Sequence, residues 1–336
     1  MKGGLFPRLA FSPDESHLSW AGRLAAFHTK GGVEAFLRDM HIPTFAFFGG
    51  HAEFVQRLCY LADQDPEPLL RNTILRSSSY RFSLNDEVFS SDFLMGQMTK
   101  FCPKCLLEDD GNGERSDAQR RDRLLWRFRS VFVCPIHQIY LMSDGQPGDW
   151  KSDLSVRVPL STSNLELLSN NSETVQPSPL ESYLIGRMSG ARGPDWLDGQ
   201  TLEQAIRSTE MLGAVMEFGY RVNTDEMTIA QAQHAGSAGW EWTSRGEEGL
   251  RAAFQILQAA TPREMTARDR HPGHAFGELY HWLAPETDHN DRGPTRDVLR
   301  QHIIETEPIT TNLKILGVKV NRNGIKPQKQ IPTRQT

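Results

Sequence analysis

Little in this chain points to a membrane, to secretion or to catalysis. Across 336 residues no apolar run approaches the roughly 20 residues that a bilayer span requires. The opening MKGGLFPRLAF has too short an apolar stretch for a secretory signal. There is no Gly-x-x-x-x-Gly-Lys-Ser/Thr, no Gly-x-Ser-x-Gly and no His-Glu-x-x-His. The carboxylates are scattered over helices, without the acidic cluster of a nuclease metal site. Neither sign of charge dominates: 37 Lys and Arg against 42 Asp and Glu leave a formal net charge of -5. A globally basic nucleic-acid binder is thereby excluded, and any such binding must come from local patches. Cysteine is scarce, at four residues. Three of them fall in a metal pattern, which argues for a reducing compartment, the cytoplasm by default.

That pattern organises the chain. Between Phe101 and Leu141 the sequence presents Cys102 and Cys105 in one turn, and Cys134 and His137 in another. Each pair has two intervening residues, and a proline follows the first cysteine of each. A Cys-x-x-Cys turn lets two thiolates converge on one ion while backbone N–H groups steady the sulfurs. Cys-Pro-Ile-His does the same with one thiolate and one imidazole. The Cys3His set suits a closed tetrahedral zinc site, and four protein ligands leave no position for water or substrate, so the metal reads as structural. A redox Cys-x-x-Cys and buried, unligated thiols remain the other readings, although a redox motif would not need the second pair. His271-Pro-Gly-His274 is a weaker metal candidate, better read as a loop with two exposed imidazoles.

Two basic patches stand out. Arg115, Arg120, Arg121, Arg123, Arg127 and Arg129 lie between the half-sites, and Lys314, Lys319, Arg322, Lys326, Lys329 and Arg334 follow the last acidic residue, Glu307. The first is either a solvated face partly neutralised by Glu114, Asp117 and Asp122 or a phosphate-facing row. Arg120, Arg121, Arg123 and Arg127 are its candidate nucleic-acid contacts, with docking on an acidic partner surface as the alternative.

Helical periodicity covers most of the rest. Ser12-Pro13-Asp14-Glu15 has the form of a capped helix start, followed by Leu18, Ala21, Leu24 and Ala25 on one face. Further helices are expected over Val33–Met40, His51–Ala62, with Cys59 in the core, and Leu69–Leu75. Ser77–Met98 reads as an irregular connection, and the part before Val133 allows a strand. Ser178-Pro179-Leu180-Glu181 repeats the first helix signature, and Thr201 to Gln204 opens a long amphipathic helix. Helices are then expected over 227–235, from Ser244, over 276–283 and over 295–304. The fold class is mainly α. The expected organisation is a helical region 1–100, a zinc module 101–144, a linker 145–177, a helical domain 178–318 and a basic tail 319–336 without helical periodicity. Trp126 and Phe128 are expected to cover the metal site, since a small module needs apolar cover.

Several of these segments together resemble one family. They are Asp14-Glu-Ser-x-Leu-Ser-Trp-x-x-Arg-Leu-Ala25, a Phe-Leu pair, Leu70-Arg71 to Leu75, Cys102-Pro-x-Cys-Leu-x-Glu-Asp109, Trp126-Arg127 and Val133-Cys-Pro-x-His137. The stretch from Leu9 to Leu141 is similar to the TniQ/TnsD family, which selects targets for certain bacterial transposons. Fainter echoes run from Leu202 to Val320. The resemblance implies a helical fold with zinc modules and helix-turn-helix elements. It also implies a non-catalytic adaptor, not an enzyme. Its expected partners are the transposase and ATPase regulator, with DNA met directly or through an RNA-guided CRISPR complex, and a homodimer is a further expected assembly. Two departures are visible. No second Cys-x-x-Cys follows His137, and the residues from Val320 on do not read as the further helix-turn-helix of many relatives. A zinc-dependent nucleic-acid-binding regulator unrelated to transposition is the alternative function.

Overall fold

The computed structural model describes residues 4–94, 100–111, 118–143, 161–261, 271, 273–284, 292–307, 313–321 and 324–325. Arg115, the first part of the expected linker (145–160), Arg322 and the tail beyond 325 lie outside them. Among the described residues the protein is mainly helical, and no helix is long and apolar enough to cross a membrane. The chain divides into two compact units, Met1–Ala191 and Arg192–Thr336.

Unit 1 opens with five short helices, α1 (His17–Thr29), α2 (Val33–Asp39), α3 (Thr44–Phe48), α4 (Ala52–Leu61) and α5 (Pro66–Arg71). Their apolar faces enclose Trp20, Leu24, Phe36, Leu37, Phe47 and Leu58. Cys59 lies fully buried in the same core, as expected of a small apolar side chain. The helix start expected at Ser12 comes one turn later. Ser16 is the actual N-cap, accepting from the Ser19 N–H at 3.2 Å. Ser12 to Glu15 form a turn instead, because the Glu15 carboxylate is taken into the interior by Arg23 at 2.6 Å and by the Ser19 hydroxyl at 2.8 Å. Burial raises the Glu15 pKa, with Arg23 pulling against that rise.

The segment read as an irregular connection is an antiparallel meander, β1 (Leu75–Arg76), β2 (Arg81–Leu84) and β3 (Glu87–Ser90), in the order β1-β2-β3. Phe82 faces Phe89 across the ladder. Phe89, Phe93 and Phe128 then meet with ring centroids 5.5 to 5.7 Å apart, a spacing favourable for tilted aromatic pairs. Helix α6 (Pro103–Asp110) carries the first half-site, and a short 3-10 turn (Leu124–Arg127) replaces the strand expected before Val133.

Two further helices, α7 (Thr162–Asn170) and α8 (Pro179–Met188), complete unit 1. Helix α7 lies within the stretch expected to be linker, and Thr174 and Val175 bond to Ile139 and Gln138. Helix α8 begins where its signature places it, with Ser178 accepting from the Glu181 N–H at 3.1 Å. It belongs to unit 1 and not to the C-terminal domain that the sequence suggested, and Arg187 fixes it to β3 through both oxygens of Glu87, at 2.6 and 3.2 Å. Such a forked pair is worth more than two single contacts because the planar guanidinium matches both oxygens at once.

Unit 2 consists of α9 (Asp195–Asp198), α10 (Leu202–Phe218), α11 (Ile229–Thr243), α12 (Gly246–Ala260), α13 (Gly277–Leu283) and α14 (Pro294–Thr306). Thr201 and Gln204 form the expected capping box at α10. Helix α11 has 15 residues and runs on to Thr243, past the expected end at Ala235. Its Gly and Ala residues give little hydrophobic signal, but they permit a backbone approach that larger side chains would block. A Cβ on Gly213 would stand 1.8 Å from the Ala235 carbonyl oxygen, and one on Gly239 2.0 Å from that of Thr209. The start of the expected tail is a hairpin, β4 (Leu313–Ile315) with β5 (Val318–Asn321), extended by β6 (Gly324–Ile325). Its two loop residues, Leu316 and Gly317, both have positive φ, at 42° and 89°, as a type I′ turn requires. Leu316 adopts this conformation while its side chain is buried and its carbonyl accepts from Arg300 at 2.8 Å.

His17 gives unit 1 a pH response. Its ring is buried, packs on Phe47 and places Nε2 3.1 Å from the Phe47 carbonyl. Burial pushes its pKa down from 6.5 to about 3. The folded state therefore binds fewer protons here than the unfolded chain, so this contribution is intact above pH 6.5 and is lost as pH falls towards 3. Between pH 7 and pH 5 His17 should cost about 2 kcal/mol of stability. Urea unfolding of wild type and His17→Gln, which retains a donor for the Phe47 carbonyl, should show a shallower pH slope in the variant.

Candidate metal centre

The two half-sites meet. Cys102, Cys105, Cys134 and His137 offer ligand atoms that all lie within 4.8 Å of one another, and they are the one such group among the described residues. The Nδ1 of His137 is 3.5, 3.3 and 3.7 Å from the sulfurs of Cys102, Cys105 and Cys134, and Cys105 Sγ is 3.6 Å from Cys134 Sγ. A tetrahedral ion with metal–sulfur and metal–nitrogen bonds of about 2.3 and 2.0 Å sets its ligands roughly 3.5 to 3.8 Å apart. The donors therefore fit a closed four-coordinate ion. Without a cation the arrangement is costly, since the sulfurs of Cys102 and Cys134 push the Cys105 thiol far up.

Local structure positions each ligand. Cys102 is the N-cap of α6 and Pro103 its first residue, where a missing N–H costs nothing. Cys105 follows one turn later, and its N–H points back at the Cys102 sulfur. In the second half-site the N–H groups of Ile136 and His137 point at the Cys134 sulfur. Cys134 N–H donates to the Ile139 carbonyl and Gln138 N–H to the Cys134 carbonyl, both at 2.9 Å, closing a tight turn. Gln138 takes positive φ there, at 52°.

The surrounding shell was not legible in the motif. His137 Nε2 lies 2.8 Å from a Glu108 oxygen, which keeps the proton on that nitrogen and turns Nδ1 to the sulfurs. Lys100 is buried beside the first half-site. Its ammonium donates to the carbonyls of Phe128, at 2.6 Å, and Val131. Glu181 reaches from α8, and one oxygen accepts the N–H groups of Phe132 and Val133, each at 2.7 Å. The segment leading into Cys134 is thus gripped from both sides. Trp126 and Phe128, the expected apolar cover, are both buried, Phe128 against Phe89 and Phe93 and Trp126 beneath the Arg123 guanidinium at 5.3 Å.

The arginines between the half-sites face inward. Arg120 pairs with both oxygens of Asp110, at 2.7 and 2.8 Å, with side chains only 5% and 7% exposed. Arg121 and Arg123 share the buried Asp109 and also approach Asp14. Arg127 lies 3.1 Å from Asp122. Arg120 and Arg123, two of the expected phosphate-facing residues, have their charges paired with carboxylates inside unit 1. Arg121, with 29% of its side chain exposed, is the most accessible of the four. The weaker candidate, His271 and His274, does not form a metal group. His271 accepts from the Gly273 N–H and packs on Tyr280, while His274 lies on Tyr220.

Three thiols and an imidazole gathered from two half-sites of a helical unit form a cluster that could hold a metal ion with four protein ligands. Residues 6–141, which contain all four candidate ligands, match the TniQ family model. TniQ proteins form a transposition-associated adaptor family, generally non-catalytic. No curated protein matches the chain.

Removal of the Arg120 guanidinium would strip the buried Asp110 carboxylate of its two-pronged cationic partner, and the Thr162 hydroxyl at 3.2 Å is neutral. Arg120→Ala should therefore destabilise unit 1 by about 3 kcal/mol in chemical unfolding, whereas an exposed phosphate contact would cost almost nothing.

Proposed function

We propose that this protein is a non-catalytic target-selection adaptor in transposition, with one structural zinc per chain held by Cys102, Cys105, Cys134 and His137. One observation carries the reading: the TniQ match spans residues 6–141 and encloses the Cys3His centre whole. An adaptor needs a rigid frame that presents surfaces. A closed metal centre supplies rigidity by linking distant segments, and its binding energy is folding energy. The ligand chemistry favours zinc, since three thiolates and an imidazole in tetrahedral spacing suit a borderline-soft ion without redox chemistry. We propose the transposase and its ATPase regulator as partners, with DNA reached directly or through an RNA-guided complex, in the cytoplasm. A regulator of nucleic acid outside transposition is less favoured, because the four arginines that suggested an independent DNA face are engaged with Asp14, Asp109, Asp110 and Asp122.

Elemental analysis of the purified protein should give one zinc per chain. Cys105→Ser should lose it and melt at a lower temperature, and full occupancy with unchanged melting would refute the assignment.

For the function, the gene should be deleted in its native cells and insertion sites mapped. Loss or redistribution of targeted insertions, restored by the wild-type chain and not by Cys105→Ser, is expected. Unchanged frequency and targeting in the deletion would rule out the adaptor role.

A further inference from the structure

Unit 1 carries an open groove of about 340 Å³ whose lining includes none of the four metal-ligand candidates. Its floor is apolar, built by Leu18, Phe48, Ile74, Phe82, Leu94 and Leu124. The volume is at the low end for ligand clefts, roughly 300–1,000 Å³, and suits one or two large side chains. At its edge Phe45 is 64% exposed, a large apolar surface left in water. Covering such a ring is favourable, and aromatic groups beside a preformed pocket are the usual anchors of protein interfaces.

The groove's polar groups are poorly suited to a small polar ligand. His17 is occupied by the Phe47 carbonyl, and Arg127 is paired with Asp122. The edge is nevertheless electrostatically one-sided. The lining contains two guanidiniums, Arg76 and Arg127, and no carboxylate. Arg76 donates to the carbonyls of Ser78 and Ser79, at 3.1 and 3.2 Å, and its guanidinium lies 6.0 Å from the Phe45 ring centre. Those hydrogen-bond partners are neutral, so they leave its charge uncompensated, in a chain whose net charge is -5. A locally positive lip over an apolar floor complements a segment of the opposite kind.

We propose that this groove docks an acidic peptide segment of a partner protein, with one or two large aliphatic or aromatic side chains inserted on the floor and carboxylates meeting Arg76. The inference rests on the groove alone and does not require the transposition reading. The occupant is a hydrophobic anchor flanked by acids, the peptide counterpart of helix-in-groove recognition.

The test titrates the full-length protein into a fluorescein-labelled peptide carrying a Leu-Phe pair flanked by glutamates and follows anisotropy. Two control peptides replace the glutamates by lysines or the Leu-Phe pair by alanines. Saturable binding of the first peptide, with about tenfold weakening in either control, is expected. Phe45→Ala and R76E should each weaken it about tenfold, while melting temperature and bound metal stay as in wild type. No saturable binding, equal binding of the lysine peptide, or indifference to both substitutions would overturn the proposal. So would self-association lost in Phe45→Ala, which would make a second copy the occupant. Competition by a DNA duplex that is lost in R76E would likewise overturn it, in favour of nucleic acid.

Discussion

The convergence of three sulfurs and one imidazole is the constraint on which unit 1 depends. The half-sites begin at Cys102 and Cys134, and neither holds its geometry without the other. Thiolates this close repel unless a cation lies among them. The fold meets that demand by fixing the approach of both segments. Lys100 and Glu181 hold the backbone on the way into Cys134, one by its carbonyls and the other by its N–H groups. Glu108 fixes the tautomer of His137. Because Glu181 is on α8, residues far beyond the zinc motif take part in shaping it.

The run Glu108-Asp109-Asp110 closes α6 with three carboxylates at the negative end of the helix dipole, an unfavourable place for them. Each finds an imidazole or guanidinium: His137 for Glu108, Arg121 and Arg123 for Asp109, Arg120 for Asp110. The pairing turns a local electrostatic cost into long-range attachment. Through Asp14 the same arginines reach the segment before α1, and Ser16 and Leu124 add backbone bonds to Asp122 and Asp14. The N-terminal helices and the metal module are therefore interwoven in one compact unit.

Unit 2 is held by different means. Helices α10 and α11 approach so closely that glycine is required at the contact, and the hydroxyls of Thr209 and Thr243 meet across it at 2.9 Å. Leu250, Phe254, Phe276, Leu299 and Ile315 fill the adjoining core. Unit 1 thus gathers a Cys3His cluster from two half-sites, whereas unit 2 is held by close helix packing and a C-terminal hairpin.

The four metal ligands were legible because their chemistry is carried by residue type and short spacing. The long helices of unit 2 were legible because capping and the 3.6-residue period are local. The meander and the hairpin were missed, since short half-buried strands have no such period and Leu316 takes the left-handed conformation only within its packed surroundings. Ser12-Pro-Asp-Glu15 and Ser178-Pro-Leu-Glu181 show where sequence stops deciding. The same signature starts a helix at Ser178, whereas near Ser12 the helix waits until Ser16. At Glu15 a buried carboxylate needs Arg23, and that tertiary pair outweighs a local cap. Sequence alone determined the ligand set, the mainly helical class and the family resemblance. Tertiary structure decided the direction of the arginines. A charge run looks the same whether it faces water or a carboxylate a dozen or more residues away, and the desolvation and pairing that distinguish the two arise only when the chain is packed.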